Sequence, residues 1–300
     1  MTILTIIVTY NAMKWIDRCI GSLQQSTIPT DIFIVDNGST DGTIDYIRHH
    51  FPEVRLSVQK QNLGFGQANN IGLRLAISEQ YDYVLLLNQD AWIAPDMLQQ
   101  LLDAADGQSL LSPVHLNGQG TALDRNFQRN AVERGGYRYL LQNDAMLRTP
   151  TGIHPTDEIN AACWFLPVSV VQKIGGFNPL FFHYHEDNNY LYRLHYHNYN
   201  IAFITGTYVW HDREQRPKKK ISRQHIYQNL VLIASDIRHT PIRNFFRRQR
   251  YFAGLMHTML RERDFRILPL YTQALASYYK QSRAIRMSRA KERILQPNWL

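Results

Sequence analysis

Cysteine is scarce in this chain: Cys19 and Cys163 are the only two in 300 residues. They cannot form a disulfide framework, and a reducing, cytoplasmic setting is expected. No apolar run approaches the roughly 18 residues that would span a bilayer. Ile3 to Val8 is apolar but has neither a basic leader nor a small-residue cleavage site, so it is not read as a signal peptide. The Gly-x-Gly-x-x-Gly spacing is missing after the first strand and at Asn62-Leu63-Gly64-Phe65-Gly66, which argues against a dinucleotide site. Internal repeats, low-complexity segments and recognised nucleic-acid-binding motifs are absent as well.

What is present is a globular composition, 44% hydrophobic and 12% aromatic, in a chain long enough for one large α/β domain with an appendage or for two domains. The charge is unevenly placed. Residues 213–300 hold 20 Lys and Arg against 5 Asp and Glu, whereas 1–212 hold 13 against 20. An acidic body with a basic tail points to an anionic partner for the tail.

Along the body, short apolar runs alternate with helical patterns. Leu4 to Thr9, Ile32 to Val35, Val54 to Val58 and Tyr83 to Leu87 read as strands. Helices fit around Trp15 to Leu23, Thr43 to His50 and Ala68 to Ala76, giving β-α-β-α-β-α-β and a mostly parallel sheet. Residues 115–158 are poorly periodic and read as irregular loops with a hairpin over the sheet. Further on, Ala161 to Leu166 reads as a strand, Val168 to Ile174 as a helix closed by Gly175-Gly176, and Leu180 to Asp187 as a strand-like aromatic run. A helix from Asn188 to about His197 and short strands at Ile201 to Ile204 and Thr207 to Trp210 follow. Arg213 to Lys220 reads as a basic hinge to a helical tail.

Several polar clusters stand where apolar runs stop, and ligands of open parallel sheets bind at such carboxyl ends. Asp36 ends one strand, and Asn88-Gln89-Asp90 ends another. A carboxylate only accepts hydrogen bonds, so Asp36 can receive the ring N–H of uracil or thymine, which cytosine lacks. The turn-rich loop Asp36 to Gly42 suits a diphosphate near a helix N-terminus. Gly64 permits close backbone approach. Asp90 and His211 form a hard-metal pair for Mg2+ or Mn2+, with phosphate oxygens completing the shell. Glu186 and Asp187 offer a general base toward a hydroxyl. Each cluster also has a structural explanation: a turn, a core histidine, an acidic first helical turn.

Their order is distinctive. Thr9-Tyr10-Asn11, Asp36-Asn37-Gly38-Ser39-Thr40-Asp41, Asn62-Leu63-Gly64, Asn88-Gln89-Asp90, Gly175-Gly176-Phe177, Glu186-Asp187 and His211 occur in series, and over residues 1–212 the series resembles a family 2 glycosyltransferase of the GT-A fold. The resemblance implies a nucleotide-sugar half at 1–114, an acceptor half at 115–212, and an inverting reaction. Thr9, Asn11 and Asp36 match nucleoside-contacting positions, with Tyr10, Asn37, Asn62, Gly64 and Asn88 completing the expected donor contacts. Asp90 matches the last residue of a D-x-D metal motif and His211 a metal- or diphosphate-contacting histidine. Asp187, beside Glu186, is the implied base. Asn160 and Trp164 are taken as acceptor contacts.

Asn88 departs from the family pattern by standing where the first Asp of D-x-D would be. This Asn-x-Asp form resembles the rhamnosyltransferase-like branch, for which deoxythymidine diphosphate rhamnose is a usual donor. The expected partners are therefore a uridine or deoxythymidine diphosphate sugar and a glycan or lipid-linked acceptor, in cell-surface polysaccharide synthesis. A sugar nucleotidyltransferase is an alternative, although Thr9 to Met13 has no glycine for a phosphate loop. A nucleic-acid-binding role for the tail is another, opposed by the acidic body. Within the tail, Ile226, Leu230, Ile233 and Ile237 recur at helical spacing and imply packing on the body. Arg243, Arg247, Arg248 and Arg250 alternate with Phe245, Phe246, Tyr251 and Phe252, and Arg283, Arg286, Arg289 and Arg293 follow. These suit either an anionic membrane surface, at the inner face of the cell membrane, or a solvated basic face.

Overall fold

The structure, a computed structural model, describes residues 1–138, 152–213 and 221–300. Most of the basic hinge and residues 139–151 of the loop region lie outside that description. The described strands are β1 (Ile3–Thr9), β2 (Asp31–Asp36), β3 (Arg55–Val58), β4 (Tyr83–Asn88), β5 (Ala91–Ile93), β6 (Leu110–Asn117), β7 (Gly152–Pro155), β8 (Cys163–Pro167) and β9 (Ile201–His211). They form a single sheet in the order β3-β2-β1-β4-β8-β6-β9-β5, with β7 also on β9. The first four of that order are parallel; β8 then runs antiparallel to β4, and β9 runs parallel to β6.

Helices α1 (Ile16–Gln24), α2 (Thr43–His50), α3 (Phe65–Ser78), α4 (Met97–Asp103), α5 (Val168–Ile174) and α6 (Glu186–Tyr196) accompany the sheet. Because side chains alternate along a strand, the sheet feeds two cores. Leu4, Ile6, Val84, Leu86 and Trp164 meet α3 and α6 residues such as Leu73 and Leu191 in one core. Ile3, Ile7, Leu85, Leu87 and Phe165 meet Ile20 of α1 and Leu101 of α4 in the other. A polar replacement at any of these positions would forfeit about 1.5–3 kcal/mol of burial, a sizeable share of a typical net stability.

Three expectations need correction. β6 and β5 were hidden in the sequence, and the boundary drawn at 114/115 falls inside β6, so both halves share one sheet. The two strands expected at 201–204 and 207–210 are one strand, β9. Its register against β6 jumps between Pro113 and Val114, and Gly206 takes φ +88°; a bulge of this kind bends a strand without ending it. The aromatic run from Leu180 to Asp187 is a loop running into α6, not a strand. Tyr184 and His185 both take φ +71°, outside the extended region.

The tail folds as α7 (Arg223–Ser235), α8 (Pro241–Glu262), α9 (Ile267–Lys280) and α10 (Ser282–Glu292). Ser222 caps α7, and Thr240 with Pro241 starts α8. Of the expected face, Ile226 and Leu230 pack with Leu255, Ala274 and with Phe181 and Tyr192 of the body; Ile237 is buried as well, whereas Ile233 is only half-buried. Some of the arginines expected on an outer basic face turn inward. Arg247 and Arg238 pair with fully buried Asp236 at 2.6 and 3.0 Å, and Arg289 donates to the carbonyls of Asp236 and His239.

The C-terminal residues clamp the approach to α6. Gly176 N–H donates to the Asn298 carbonyl at 2.8 Å, and buried Arg193 of α6 donates to the carbonyls of Ile174 and Gly176. Glu292 of α10 accepts from Asn178 and from Asn189 of α6 at 2.6 and 2.9 Å. Tail and α6 are thus one packed unit.

Candidate active site

Strand register gathers the polar clusters at one edge. Thr9 pairs with Asp36, and Val8 with Asn88, so the segments leaving β1, β2 and β4 emerge side by side. There the loops are stitched together. Asp36 accepts from Thr9 Oγ1 at 2.7 Å, from the backbone N–H of Gly38 and Ser39 at 3.0 and 2.8 Å, and from Ser39 Oγ at 2.5 Å. Four donors fill a carboxylate's acceptor capacity, and Asp36 is fully buried. Ser39 Oγ in turn accepts from Asn11 N–H at 2.8 Å, while Asn11 Oδ1 accepts from Thr40 N–H at 2.9 Å. Buried Asn37 reaches the next loop, accepting from Leu63 N–H at 3.1 Å and donating to the Gly64 carbonyl. Asn62 Oδ1 accepts Gly64 N–H at 2.8 Å.

Of the expected donor contacts, Thr9 and Asn37 are buried supports, whereas Tyr10 and Asn11 stand exposed at the rim. Ser39 and Gln89 were not foreseen. Gln89 grips the Tyr10 backbone, accepting its N–H at 2.7 Å and donating to its carbonyl at 3.3 Å. Gly64, at φ +79°, is held to glycine: an added Cβ would lie 1.9 Å from the Phe182 carbonyl oxygen. That contact seats the donor-side loop against the loop preceding α6.

The second group centres on His211. Its Nε2 lies 3.3 Å from Asp90 Oδ1 and its Nδ1 3.4 Å from Asp124 Oδ2, and Asn88 Nδ2 is 3.4 Å from Nε2. Pairing of Ala91 with His211 and of Asn117 with His211 brings the imidazole beside Asp90. Asp124 is almost fully buried and also caps the helical turn beginning at Arg125, accepting the N–H of Asn126 and Phe127. Burial alone would lower the His211 pKa, but the flanking carboxylates Asp124 and Asp90 lift it to about 9. Burial likewise opposes ionisation of Asp124, yet His211 and the Phe127 N–H hold it well below the usual carboxylate range. Asp124 was missed by sequence reading because it lies in an aperiodic stretch far in sequence from His211. Among the described residues, no three His, Cys, Asp or Glu side chains are placed to hold a metal ion. Asp90 and His211 alone supply two donors of the kind Mg2+ or Mn2+ accepts, and ligand oxygens would have to supply the rest.

The third group is the start of α6. Glu186 is 5% exposed, and its Oε2 has no hydrogen-bond partner among the described residues. Burial, reinforced by the Asp187 charge, pushes its pKa up to about 8. Half-buried Asp187 accepts the Asn188 N–H at 2.8 Å. Its pKa is raised by burial too, with His185 and Arg213 opposing the rise. Two neighbouring carboxyls of this kind titrate as a pair. At neutral pH Glu186 keeps the proton, and Asp187 stands at the positive end of the helix, which favours its charged form. The close approach of Gly64 to Phe182 and of Gly66 to Glu186 sets the start of α6 beside the loops at this edge of the sheet, and the charge of exposed Arg213, just past His211, reaches Asp187 and His115.

The acceptor expectations divide. Trp164 is fully buried in the core between Phe177 and Tyr190, with ring centroids 6.2 and 5.9 Å away, and presents no surface to an acceptor. Its place in β8 aims it inward. Asn160 is half-buried, with an Oδ1 that has no hydrogen-bond partner among the described residues. Phe182 and Tyr184, 52% and 42% exposed in the loop before α6, join Tyr10 as aromatics exposed in this part of the fold.

A family model described as Glycosyl transferase family 2 matches residues 5–156. N-acetylglucosaminyl-diphospho-decaprenol L-rhamnosyltransferase of Mycobacterium tuberculosis is 27% identical over 228 residues, 69% of this chain and 74% of that protein. The structure of S. aureus TarS in complex with UDP-GlcNAc superposes with a TM-score of 0.63 at 17% identity, covering 97% of this chain and 88% of the other. A mannosyltransferase from Pyrobaculum calidifontis, in complex with GDP-Man and Mn2+, gives 0.56 at 18% identity over 93% and 75% of the two chains. At these identities the structural likeness concerns the fold alone.

The Glu186 environment makes a testable statement about stability. Its folded pKa of about 8 lies above the ordinary 4.5, so the unfolded chain releases this proton first as pH rises. Stability should therefore fall between pH 4.5 and 8. Glu186→Gln, which cannot ionise, should flatten that fall, and its melting temperature should gain on the parent's as pH rises from 5 to 8. Parallel melting curves for the two proteins across that range would show that Glu186 ionises freely in the fold.

Proposed function

The chain belongs to glycosyl transferase family 2, and on that premise we propose that it is an inverting transferase carrying a sugar, rhamnose being the candidate, from a uridine or deoxythymidine diphosphate to a hydroxyl of a glycan or lipid-linked acceptor. Its fold is of the GT-A type that the sequence resemblance implied. The observation that carries the proposal is the grouping at the sheet edge: Asp90 lies 3.3 Å from His211, and the contacts of Gly64 with Phe182 and of Gly66 with Glu186 hold the start of α6, with Asp187, beside the Asp36 loop.

In this reading Asp187 accepts the proton of the attacking hydroxyl as its oxygen bonds to the anomeric carbon and the bond to the diphosphate breaks. Attack opposite the leaving group inverts the anomeric centre. Buried Glu186, keeping its own proton, leaves Asp187 as the group that takes up another. Exposed Arg213 supplies positive potential for the departing diphosphate. A divalent cation held by Asp90 and His211 would neutralise that diphosphate further. His211 serves this end when Nδ1–H faces Asp124 and Nε2 is free toward Asp90, so Asp124 fixes the orientation of the ring. The site fits a metal only together with a ligand, because Asn88 replaces a second carboxylate.

Nucleoside selection falls to the Asp36 loop. For Asp36 to accept a uracil or thymine ring N–H, the Ser39 hydroxyl must turn away and release one lone pair. The relatives support a nucleoside diphosphate sugar as donor and a lipid-linked acceptor, without choosing the base: the mycobacterial protein is named for a decaprenol-linked substrate, TarS binds UDP-GlcNAc, and the mannosyltransferase binds GDP-Man with Mn2+. A lipid-linked acceptor would place this enzyme at an anionic membrane surface, as a peripheral protein, in cell-surface polysaccharide synthesis. None of the described helices is long and apolar enough to cross a membrane.

Two substitutions test this reading. Asp187→Asn keeps the shape but removes the base, so turnover should fall roughly 100-fold or more while UDP still binds. Near-normal turnover would move the base elsewhere, with Glu186 next in line. Asp124→Asn should retain the helical cap yet weaken Mn2+ binding to the UDP complex by roughly tenfold, read by calorimetry. Unchanged Mn2+ affinity would reduce Asp124 to a structural role.

A further inference from the structure

Helix α8 has an apolar face that the protein does not cover. Its 22 residues, about 33 Å of helix, bury Asn244 and Leu255 on the side facing the tail core. Around the axis, at about 100° per residue, Ile242, Phe245, Phe246, Ala253 and Leu260 fall within an arc of roughly 100° on another side. All five are exposed; Ile242, Phe246 and Leu260 are 71%, 64% and 65% so. Arg243, Arg250 and Arg261 lie together along one border of that stripe, also exposed. Arg247 and Arg238, by contrast, are spent on buried Asp236, so the basic border is a selected subset of the tail's arginines. Phe265 and Leu268, 66% and 44% exposed, extend the apolar surface past the end of α8.

We propose that this stripe is where the enzyme docks on an anionic lipid surface, with α8 lying in the plane of the interface. An exposed apolar stripe on one side of a helix, shouldered by arginines, matches a surface that is apolar beneath and negative at its head groups. A protein partner would not require the basic border to run the length of the stripe, and the tail's surplus of 15 positive charges favours anionic lipid over a second copy of this equally basic tail. Each basic residue near such a surface contributes little on its own, so apolar insertion and charge must act together. The assignment takes the membrane setting from the proposed function but needs none of its chemistry, so it can fail while glycosyl transfer stands.

The test uses the full chain and vesicles of phosphatidylcholine with and without phosphatidylglycerol. The chain should co-sediment with the anionic vesicles, be partly released at high salt, and leave neutral vesicles largely alone. Phe246→Ser with Leu260→Ser should lower the partition by about tenfold or more, and Arg243→Gln with Arg250→Gln should remove most of the salt-sensitive part. Both variants alter exposed residues outside the crevice, so melting temperature and UDP binding should match the parent. Stripe variants that bind as the parent does, equal binding to both vesicle types, or no binding to either would overturn the proposal. So would a concentration-dependent dimer in sedimentation that the stripe variant abolishes, because the face would then belong to a second copy.

Discussion

Parallel pairing of β1 with β2 and β4 decides where the reactive groups stand, because it brings the carboxyl ends of three buried strands level. Thr9 lies beside Asp36 and Val8 beside Asn88. A slip of one residue would exchange the two faces of β1, sending Ile6 and Ile7 each toward the wrong core. The register is thus locked by apolar burial beneath the site, and the polar edge inherits its geometry. Thr9, Asn37, Ser39 and Gln89 then spend their hydrogen bonds holding loops to one another, which leaves Tyr10, Asn11 and Asp90 at the rim.

Besides Asp36, four carboxyl groups are gathered in this part of the fold, and three devices accommodate them. Asp90 and Asp124 flank one imidazole, each facing one of its ring nitrogens. Glu186 is buried against α3, near Gly66, and stays neutral by keeping its proton. Asp187 stands at the helix N-terminus, where His185 and Arg213 oppose the rise that burial imposes on its pKa. The two sides meet through backbone: with Gly64 pressed on the Phe182 carbonyl, a side chain at that position would push the loop before α6 away from the donor side.

Much of this arrangement was legible in the sequence, for a simple reason. Asp36, Asp90 and His211 end apolar strands, and a strand that stops at a polar residue announces the edge of the sheet. Asp187 could be read as an acidic residue at a helix start. Asp124 could not, since nothing local marks it and its partner arrives on β9 from far along the chain. β6 was obscured by Ser112, Pro113 and His115 within an otherwise apolar run, although burial accommodates all three. Trp164 shows the opposite failure: an aromatic next to a candidate site looks available until strand alternation puts it in the core. The Leu180 to His185 segment has strand-like composition, but left-handed backbone at Tyr184 and His185 turns it into the loop that delivers Asp187. In the tail, the alternation of arginine and aromatic residues was visible, whereas the inward turn of Arg247 and Arg289 toward Asp236 and its neighbours depended on a buried acid that only the packed helices reveal.

The central claim is that one crevice binds a nucleoside diphosphate through the Asp36 loop and, with a divalent cation, through Asp90 and His211. Its most direct test is the melting temperature of the full chain with UDP, dTDP and CDP, each with and without Mn2+, because a ligand of the folded state raises it by mass action. UDP or dTDP should raise it, more strongly with Mn2+, CDP should not, and Asp90→Ala should lose the Mn2+-dependent part. A rise with CDP equal to that with UDP, or none with UDP or dTDP under any condition, would contradict the account.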